Sequence, residues 1–280
     1  MLQRILRRIR PGARGVAPVV VPQPASPTPL IPQPARQAGE VSPAPEMHPS
    51  GLVALPPPEL RYRVHGARDA ASFVETGVRS RRNLEEALAR TERRFADFAA
   101  ILDFGCGSAR TLLAFAEDRP RASRFYGTDI DEEVIAWIRD HLPYVTATTN
   151  GALPPLAYLD DTFELIYSIS VFTHLNEDFQ FRWLRELRRV AAPGAILLLT
   201  VHGEYHWRKF APELVPEVLE QGFVFQQVYG PDYLYPEWFQ IAHHTEAYVR
   251  SRWAEYFEVL DYLPRGLNNH QDIVILQKRA

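Results

Sequence analysis

The chain has 280 residues, of which 46% are hydrophobic, and its formal net charge is −3. This size suits one sizeable α/β domain with appendages, and the weakly acidic charge argues against a nucleic-acid partner. The single cysteine, Cys106, excludes an intramolecular disulfide framework and a thiolate zinc cluster, which is typical of a reducing compartment. We therefore predict a cytoplasmic protein, and no spacing of acids and histidines indicates a metal site.

Residues 1–58 differ in composition from the rest of the chain. They hold 14 of the 24 prolines and no acidic residue before Glu40. Such a segment buries too little apolar surface to offset the entropy of ordering, so we predict a disordered tail. Residues 2–10 form a short basic amphipathic start that can rest weakly on an anionic membrane surface or act as a transit peptide; a solvated tail is the alternative. No run is long and apolar enough to span a bilayer.

The folded part is predicted to begin near residue 59. Residues 61–66 either fold over a ligand or form a surface connector, and an amphipathic helix is predicted over 82–98. A first strand then runs through Asp103 into the turn Gly105-Cys106-Gly107, and a helical pattern follows directly. Glycines in such a turn let a ligand lie against the main chain, and the helix behind it attracts a carboxylate or a phosphate.

A second strand, over residues 124–128, ends at Asp129, which is 22 positions beyond Gly107. In doubly wound folds an acid at this distance hydrogen-bonds the diol of a ribose. A dinucleotide fingerprint requires a third glycine where this chain has Arg110. In addition, Asp103 would repel a pyrophosphate but can hold an ammonium group. A ligand with a ribose, an ammonium and a carboxylate but no phosphate is S-adenosylmethionine (SAM).

Further elements alternate in the same manner. Helical and strand patterns predict a helix capped by Asp131 that ends by Pro143 and a helix capped by Asn176, together with strands over residues 144–149, 163–168, 195–201, 257–263 and 272–277. The ligand must border the carboxyl ends of the parallel strands, because these ends meet at one edge of the sheet.

Several motifs in this order resemble those of class I SAM-dependent methyltransferases. They are Asp-x-Gly-x-Gly at 103–107, Gly-x-Asp at 127–129, and the segments 163–167 and 190–197. The resemblance covers roughly residues 98–202, with a return near 257–278. It implies a Rossmann-like α/β fold, with a seven-stranded mostly parallel sheet, an antiparallel last strand and helices on both faces, and it implies SAM as the cofactor. The residues predicted to hold SAM are Asp103, Gly105, Cys106, Gly107, Asp129, Ile130, Asn150 and Ser168; Asn150 is the candidate for the adenine edge, with a plain Asn-Gly turn as the alternative.

An aromatic-rich insertion separates the fifth strand from the sixth. Residues 202–257 carry 14 of the 32 aromatic side chains, and we predict that residues 202–256 cover the acceptor side, with helices over 212–221 and 245–256. A small core of its own is the alternative. The methyltransferase domain is therefore predicted to extend over 59–280.

The reaction implied by the resemblance is transfer of the sulfonium methyl group to a small-molecule or saccharide acceptor, with O-methylation favoured. A hydroxyl acceptor needs a base, and histidine suits that role. We favour His202 and His244, with His174, His243 and His270 as the other candidates. Two other functions are considered, an NAD-type oxidoreductase and a non-catalytic SAM-binding module; Arg110 and Asp103 speak against the first, and the complete set of cofactor residues speaks against the second. The sequence leaves the oligomeric state open.

Overall fold

A computed structural model describes residues 45–226 and 240–279 of the chain. Residues 1–44, which carry most of the predicted disordered tail and its predicted membrane contact, therefore lie outside the described residues. Described structure precedes position 59: Met47 pairs with Ala54 in an isolated bridge, and Val53, Ala54 and Leu55 are buried in the main core. Apolar contacts hold these residues in place. The sequence did not indicate them because the surrounding segment is rich in proline.

The strands and helices follow one another largely as the sequence predicts. The strands are β1 (Ala100–Phe104), β2 (Arg124–Asp129), β3 (Val145–Thr149), β4 (Phe163–Ser168), β5 (Ala191–Val201), β6 (Phe223–Gln226), β7 (Ile241–His244), β8 (Glu258–Leu267) and β9 (Gln271–Gln277). The helices are α1 (Pro58–His65), α2 (Ala70–Ala89), α3 (Arg110–Leu113), α4 (Glu132–His141), α5 (Glu177–Val190), α6 (Glu204–Phe210), α7 (Val215–Gln221) and α8 (Glu246–Arg252). None of these helices combines the length and the apolar character needed to cross a membrane.

The central sheet has the order β3-β2-β1-β4-β5-β9-β8. Strands β1 to β5 are parallel, whereas β9 is antiparallel to both of its neighbours, β5 and β8. The predicted seven-stranded, mostly parallel sheet with an antiparallel last strand is thus confirmed. The strand order reverses direction between β1 and β4, and open α/β sheets bind their ligands beyond the strand ends at such a point.

Helices cover both faces of this sheet, as predicted. Along β1, Ile101 packs with residues of α2 and α4, whereas Leu102 packs with residues of α5 and α8. Successive side chains of a strand point to opposite faces, so a strand covered on both sides has to be apolar throughout. This requirement explains why β1 and β4 are almost continuously hydrophobic.

The helix caps confirm two predictions, and one helix differs. The side chain of Asp131 accepts hydrogen bonds from the first turn of α4, and that of Asn176 does so for α5. The helix predicted over 82–98 is instead α2, which starts after its cap Asp69 and ends at Ala89. The helix does not continue because Glu92 takes a φ of 58°, in the left-handed region.

The segment 202–256 contributes to two cores. Val249 and Trp253, from its C-terminal part, belong to the core on the α5 face of the sheet, whereas Trp207, Val218 and Val224 form a separate small cluster. Five of the aromatics on which the cap prediction rests lie outside the described residues, namely Tyr229, Tyr233, Tyr235, Trp238 and Phe239. The role of this segment as a cap over the acceptor stays a prediction.

Helix α2 crosses α3 at a glycine, and this crossing predicts a stability effect. A Cβ atom at Gly77 would lie 2.2 Å from the backbone oxygen of Arg110. We expect Gly77→Ala to lower the free energy of unfolding by about 1–3 kcal/mol, because the two helices have to separate. The thermal midpoint should fall by about 2–12 °C. Val78→Ala, at an exposed position on the same helix, is the control, and an unchanged midpoint in both variants would contradict the close crossing.

Candidate cofactor site

A cavity of about 370 Å³ lies beyond the carboxyl ends of β1, β2 and β4. Its size is within the range of small-molecule sites. Seven of the eight residues predicted to hold the cofactor line it: Asp103, Gly105, Cys106, Gly107, Asp129, Ile130 and Asn150. Ser168 is not among the lining residues, because it is fully buried and its hydroxyl donates to the carbonyl oxygen of Phe104 at 2.8 Å. Ser170, two residues further along, lines the cavity instead.

The glycine turn is required both by its backbone angles and by its neighbours. Gly105 has a φ of 76° and Gly107 a φ of 48°. Residues other than glycine rarely adopt these backbone angles. A Cβ atom at Gly105 would lie 2.2 Å from Val171, and one at Gly107 would lie 2.5 Å from Val64. Because these glycines have no Cβ atom, Val171 and Val64 can pack against the backbone of the turn, and the cavity lies beside them.

Asp129 connects the end of β2 with this turn. One of its carboxylate oxygens accepts the N–H of Gly107 at 2.8 Å, and the other accepts the N–H of Asp131 at 2.9 Å. Burial raises the pKa of Asp129, while these backbone hydrogen bonds act in the opposite direction. The carboxylate is thus held in one orientation at the cavity wall, and each oxygen keeps a further lone pair for a ligand hydroxyl.

Asp103 is more deeply buried, with 3% of its surface exposed. Burial raises its pKa to about 8; the Tyr167 hydroxyl and Arg110 oppose this rise, whereas the charge of Asp129 adds to it. At neutral pH the carboxyl group without a ligand is therefore largely protonated. A cationic group placed beside it would favour the charged form.

Asn150 follows β3 at the far side of the cavity. Its side-chain oxygen accepts a hydrogen bond from the Thr128 hydroxyl at 2.8 Å, and its side-chain nitrogen donates to the carbonyl oxygen of Gly151 at 2.8 Å. The amide is therefore fixed in its orientation. Asn150 and Gly151 lie in the irregular segment after β3 and not in a hydrogen-bonded turn, and both line the cavity.

The structure adds two arginines that the sequence analysis did not assign to the site. Arg63 donates to Asp131 and Glu133, each at 2.7 Å, and Arg110 donates to the backbone oxygen of Val64 at 3.1 Å. Both arginines line the cavity, and they attach α1 across the glycine turn. The partners of Arg63 are 68 and 70 residues away in the chain, so no local pattern indicates this pairing.

His174 is the histidine that the structure places at the cavity. Its Nδ1 lies 2.6 Å from the carbonyl oxygen of Gln240. A carbonyl can only accept, so Nδ1 carries the proton and Nε2 is the basic nitrogen of the neutral ring. Burial lowers the pKa of His174, which keeps the imidazole neutral at neutral pH.

The structure does not bring His202 or His244 to this cavity. His244 is fully buried, and its Nε2 lies 3.0 Å from the side-chain oxygen of Gln180. His202 lies behind His174 and stacks on His206, with 3.6 Å between the ring centroids. Burial lowers the pKa of His244 to about 3 and that of His202 well below its usual value.

His202 belongs to a second group of imidazoles, together with His206 and His270. One nitrogen atom from each ring lies within 4.8 Å of the others. His202 and His206 are four residues apart in the chain, but His270 comes from the turn between β8 and β9. This long separation explains why the spacing of histidines in the sequence indicated no metal site.

The strand order and the cavity at the carboxyl ends of the parallel strands define a protein of the Rossmann-like methyltransferase fold. Residues 101–194 match the protein family described as "Methyltransferase domain". This segment of the chain is therefore similar to a methyltransferase domain.

Several solved structures share this fold. A chain from the complex between the Haloferax volcanii Trm112 methyltransferase activator and a putative methyltransferase superposes with a TM-score of 0.53 at 13% identity, covering 75% of this chain and 95% of that one. The 1,6-didemethyltoxoflavin-N1-methyltransferase of Burkholderia thailandensis, solved with 1,6-didemethyltoxoflavin and S-adenosylhomocysteine, superposes with a TM-score of 0.50 at 17% identity, covering 85% and 95%. At such identities the similarity concerns the fold alone.

Proposed function

We propose that this chain binds SAM in the cavity and transfers its methyl group to a small-molecule or saccharide acceptor. The observation that carries the proposal is one cavity lined by Asp129, Asp103, Arg110 and the glycine turn. In this placement Asp129 accepts hydrogen bonds from the ribose diol, and the amide of Asn150 contacts the adenine edge. The alternative of a dinucleotide cofactor is disfavoured because Asp103 would face the pyrophosphate.

The amino-acid tail of SAM is assigned to Asp103 and Arg110. Asp103 receives the ammonium group, and the buried carboxyl loses its proton as the cation arrives. Arg110 donates one hydrogen bond to the backbone oxygen of Val64. A guanidinium has further N–H donors, which can bind the carboxylate of the tail. A cationic and an anionic group on the wall thus match the two opposite charges of a zwitterion.

Methyl transfer is an in-line displacement in which the acceptor atom forms a bond to the methyl carbon while the carbon–sulfur bond breaks. The sulfonium needs no activation, so the enzyme contributes mainly alignment and exclusion of water. A hydroxyl acceptor also has to lose a proton. We assign this proton to His174, the histidine at the cavity, rather than to His202 or His244, which do not line it.

Titration of the purified chain with SAM, S-adenosylhomocysteine and NAD tests the cofactor, and incubation of a metabolite extract with methyl-labelled SAM tests transfer. We expect both adenosyl ligands to bind, NAD to bind at least tenfold more weakly, and label to appear in a small molecule. Tighter binding of NAD would favour an oxidoreductase, and SAM binding without transfer would favour a non-catalytic binding module.

In the same assay His174→Gln should reduce transfer to a hydroxyl acceptor without weakening S-adenosylhomocysteine binding. Unchanged transfer would indicate an acceptor that needs no base.

The assignment of Arg110 predicts a selective loss of affinity. We expect Arg110→Gln to weaken S-adenosylhomocysteine about tenfold, because a charge-assisted hydrogen bond to the carboxylate is lost. The affinity for 5′-methylthioadenosine, which lacks the amino-acid tail, should stay unchanged, as measured by calorimetry on both ligands. Equal weakening of both ligands would show that Arg110 acts through the position of α1 instead.

A further inference from the structure

The group of histidines behind the cofactor cavity has the composition of a metal site. His202 follows β5, His206 lies in α6, and His270 lies in the β8–β9 turn, so three separate elements bring these imidazoles together. One nitrogen from each ring lies within 4.8 Å of the others. Nitrogen ligands of a tetrahedral zinc ion are about 3.4 Å apart, given Zn–N distances of about 2.0–2.1 Å. The three rings therefore have to move closer together before they can share one ion.

Two of these rings have buried nitrogen atoms without a partner. The Nδ1 atoms of His202 and His206 make no hydrogen bond, although only 5% and 9% of these residues are exposed. A buried polar atom without a partner costs free energy, so native structures usually supply one. An ion bound through one nitrogen of each ring would hold the rings in place. This would give the cluster a role that its hydrogen bonds do not account for.

The chemistry of the three ligands selects the class of ion. The group consists of imidazoles without a carboxylate, and imidazole suits zinc, copper and nickel, whereas magnesium and calcium require oxygen ligands.

The stacked arrangement of His202 and His206 defines what has to move. Their planes are 9° apart, and because a nitrogen lone pair lies in the plane of its ring, two parallel stacked rings do not point at one ion. One ring has to turn out of the stack. A cavity of about 230 Å³ borders His206 and His270 and provides room for this rotation. His243 lines the same cavity and is the nearest further imidazole, with its ring centroid 5.6 Å from that of His206.

We infer that His202, His206 and His270 form a binding site for one divalent transition-metal ion, with zinc as the best-matched ion. The inference is independent of methyl transfer, since none of the three residues lines the cofactor cavity. The rings of His202 and His174 are nevertheless only 5.8 Å apart, so a bound ion would lie directly behind the histidine at that cavity.

The experiment uses the full chain without a polyhistidine tag, treated with a chelator and then titrated with Zn²⁺ by calorimetry and with Co²⁺ by visible absorption. We expect one equivalent of each ion to bind and Co²⁺ to show the intense bands of a low-coordinate site. His206→Gln and His270→Gln should each weaken Zn²⁺ at least tenfold, whereas His141→Gln, at a histidine of α4 outside the group, should not.

Thermal unfolding of the metal-free proteins shows whether each variant is folded, and His270 is the safer position because it is only half-buried. Binding of less than one equivalent by the wild-type chain would overturn the inference. So would equal Zn²⁺ affinity in the wild type and in a folded His270→Gln variant. Neither result would affect the proposal for SAM, which is measured separately with S-adenosylhomocysteine.

Discussion

Asp129→Ala is expected to weaken S-adenosylhomocysteine about 100-fold, because hydrogen bonds from the ribose diol to a charged acceptor are lost. The substitution also removes the acceptor for the N–H groups of Gly107 and Asp131, so the glycine turn loses its connection to the end of β2. Calorimetry with S-adenosylhomocysteine and with 5′-methylthioadenosine measures the effect. Both ligands contain the ribose and should lose affinity equally.

Two further variants make this result interpretable. Asp129→Asn keeps one oxygen acceptor and should give an intermediate loss. Asp140→Ala removes an exposed acid of α4 and should leave the affinity unchanged. Unaltered binding in a folded Asp129→Ala variant would contradict the assignment of the ribose to this carboxylate.

Asp103→Asn is expected to weaken S-adenosylhomocysteine by about 100-fold while stabilising the protein without a ligand. The loss arises because a neutral amide replaces the charge that faces the ammonium group. 5′-Methylthioadenosine has no ammonium group and should bind as it does to the wild type. Loss of both ligands would place the tail of the cofactor elsewhere.

The stabilisation follows from the raised pKa of Asp103. Its pKa of about 8 in the folded chain lies above the value of 3.8 for an unperturbed aspartate, so the folded state binds the proton more tightly than the unfolded state does. Its contribution to stability is complete below the lower value and is lost as the pH rises toward about 8. The thermal midpoint of Asp103→Asn should therefore exceed that of the wild type by more at pH 8 than at pH 5.

The same proton predicts a pH dependence of cofactor affinity in the wild type. The ammonium group requires the ionised form of Asp103, so affinity should rise with pH, by up to about tenfold per unit, until the pH approaches about 8. In Asp103→Asn this rise should be absent. Calorimetry with S-adenosylhomocysteine between pH 6 and about 8 compares the two proteins, and a rise of equal size in both would exclude Asp103 as its source.

How far the sequence predicts this protein depends on the distance over which each feature is encoded. The caps Asp131 and Asn176 act on the turn that follows them, so they were predictable. The continuous apolar runs of β1 and β4 indicated a parallel sheet covered on both faces. Helix α2 was less predictable because its end depends on the backbone angle at Glu92.

The residues of the candidate site also differ in how far along the chain the features that position them are encoded. The placement of Asp103, Asp129 and the glycine turn follows from motif spacing within a regular fold, and all of them line one cavity. Ser168 and Ser170 illustrate the limit of this reasoning. Only the path of the chain beyond β4 determines which serine lines the cavity and which donates to the Phe104 carbonyl.

The sequence by itself determined the order of strands and helices, the position of the glycine turn and the residue types at the strand ends, because these depend on neighbours a few positions apart and on a repeated topology. Only the tertiary structure decided that Arg63 pairs with α4, that His174 rather than His202 or His244 borders the cofactor cavity, and that His270 joins His202 and His206. The physical reason is that such contacts join segments tens of residues apart, and their geometry is set by the packing of the whole sheet and its helices.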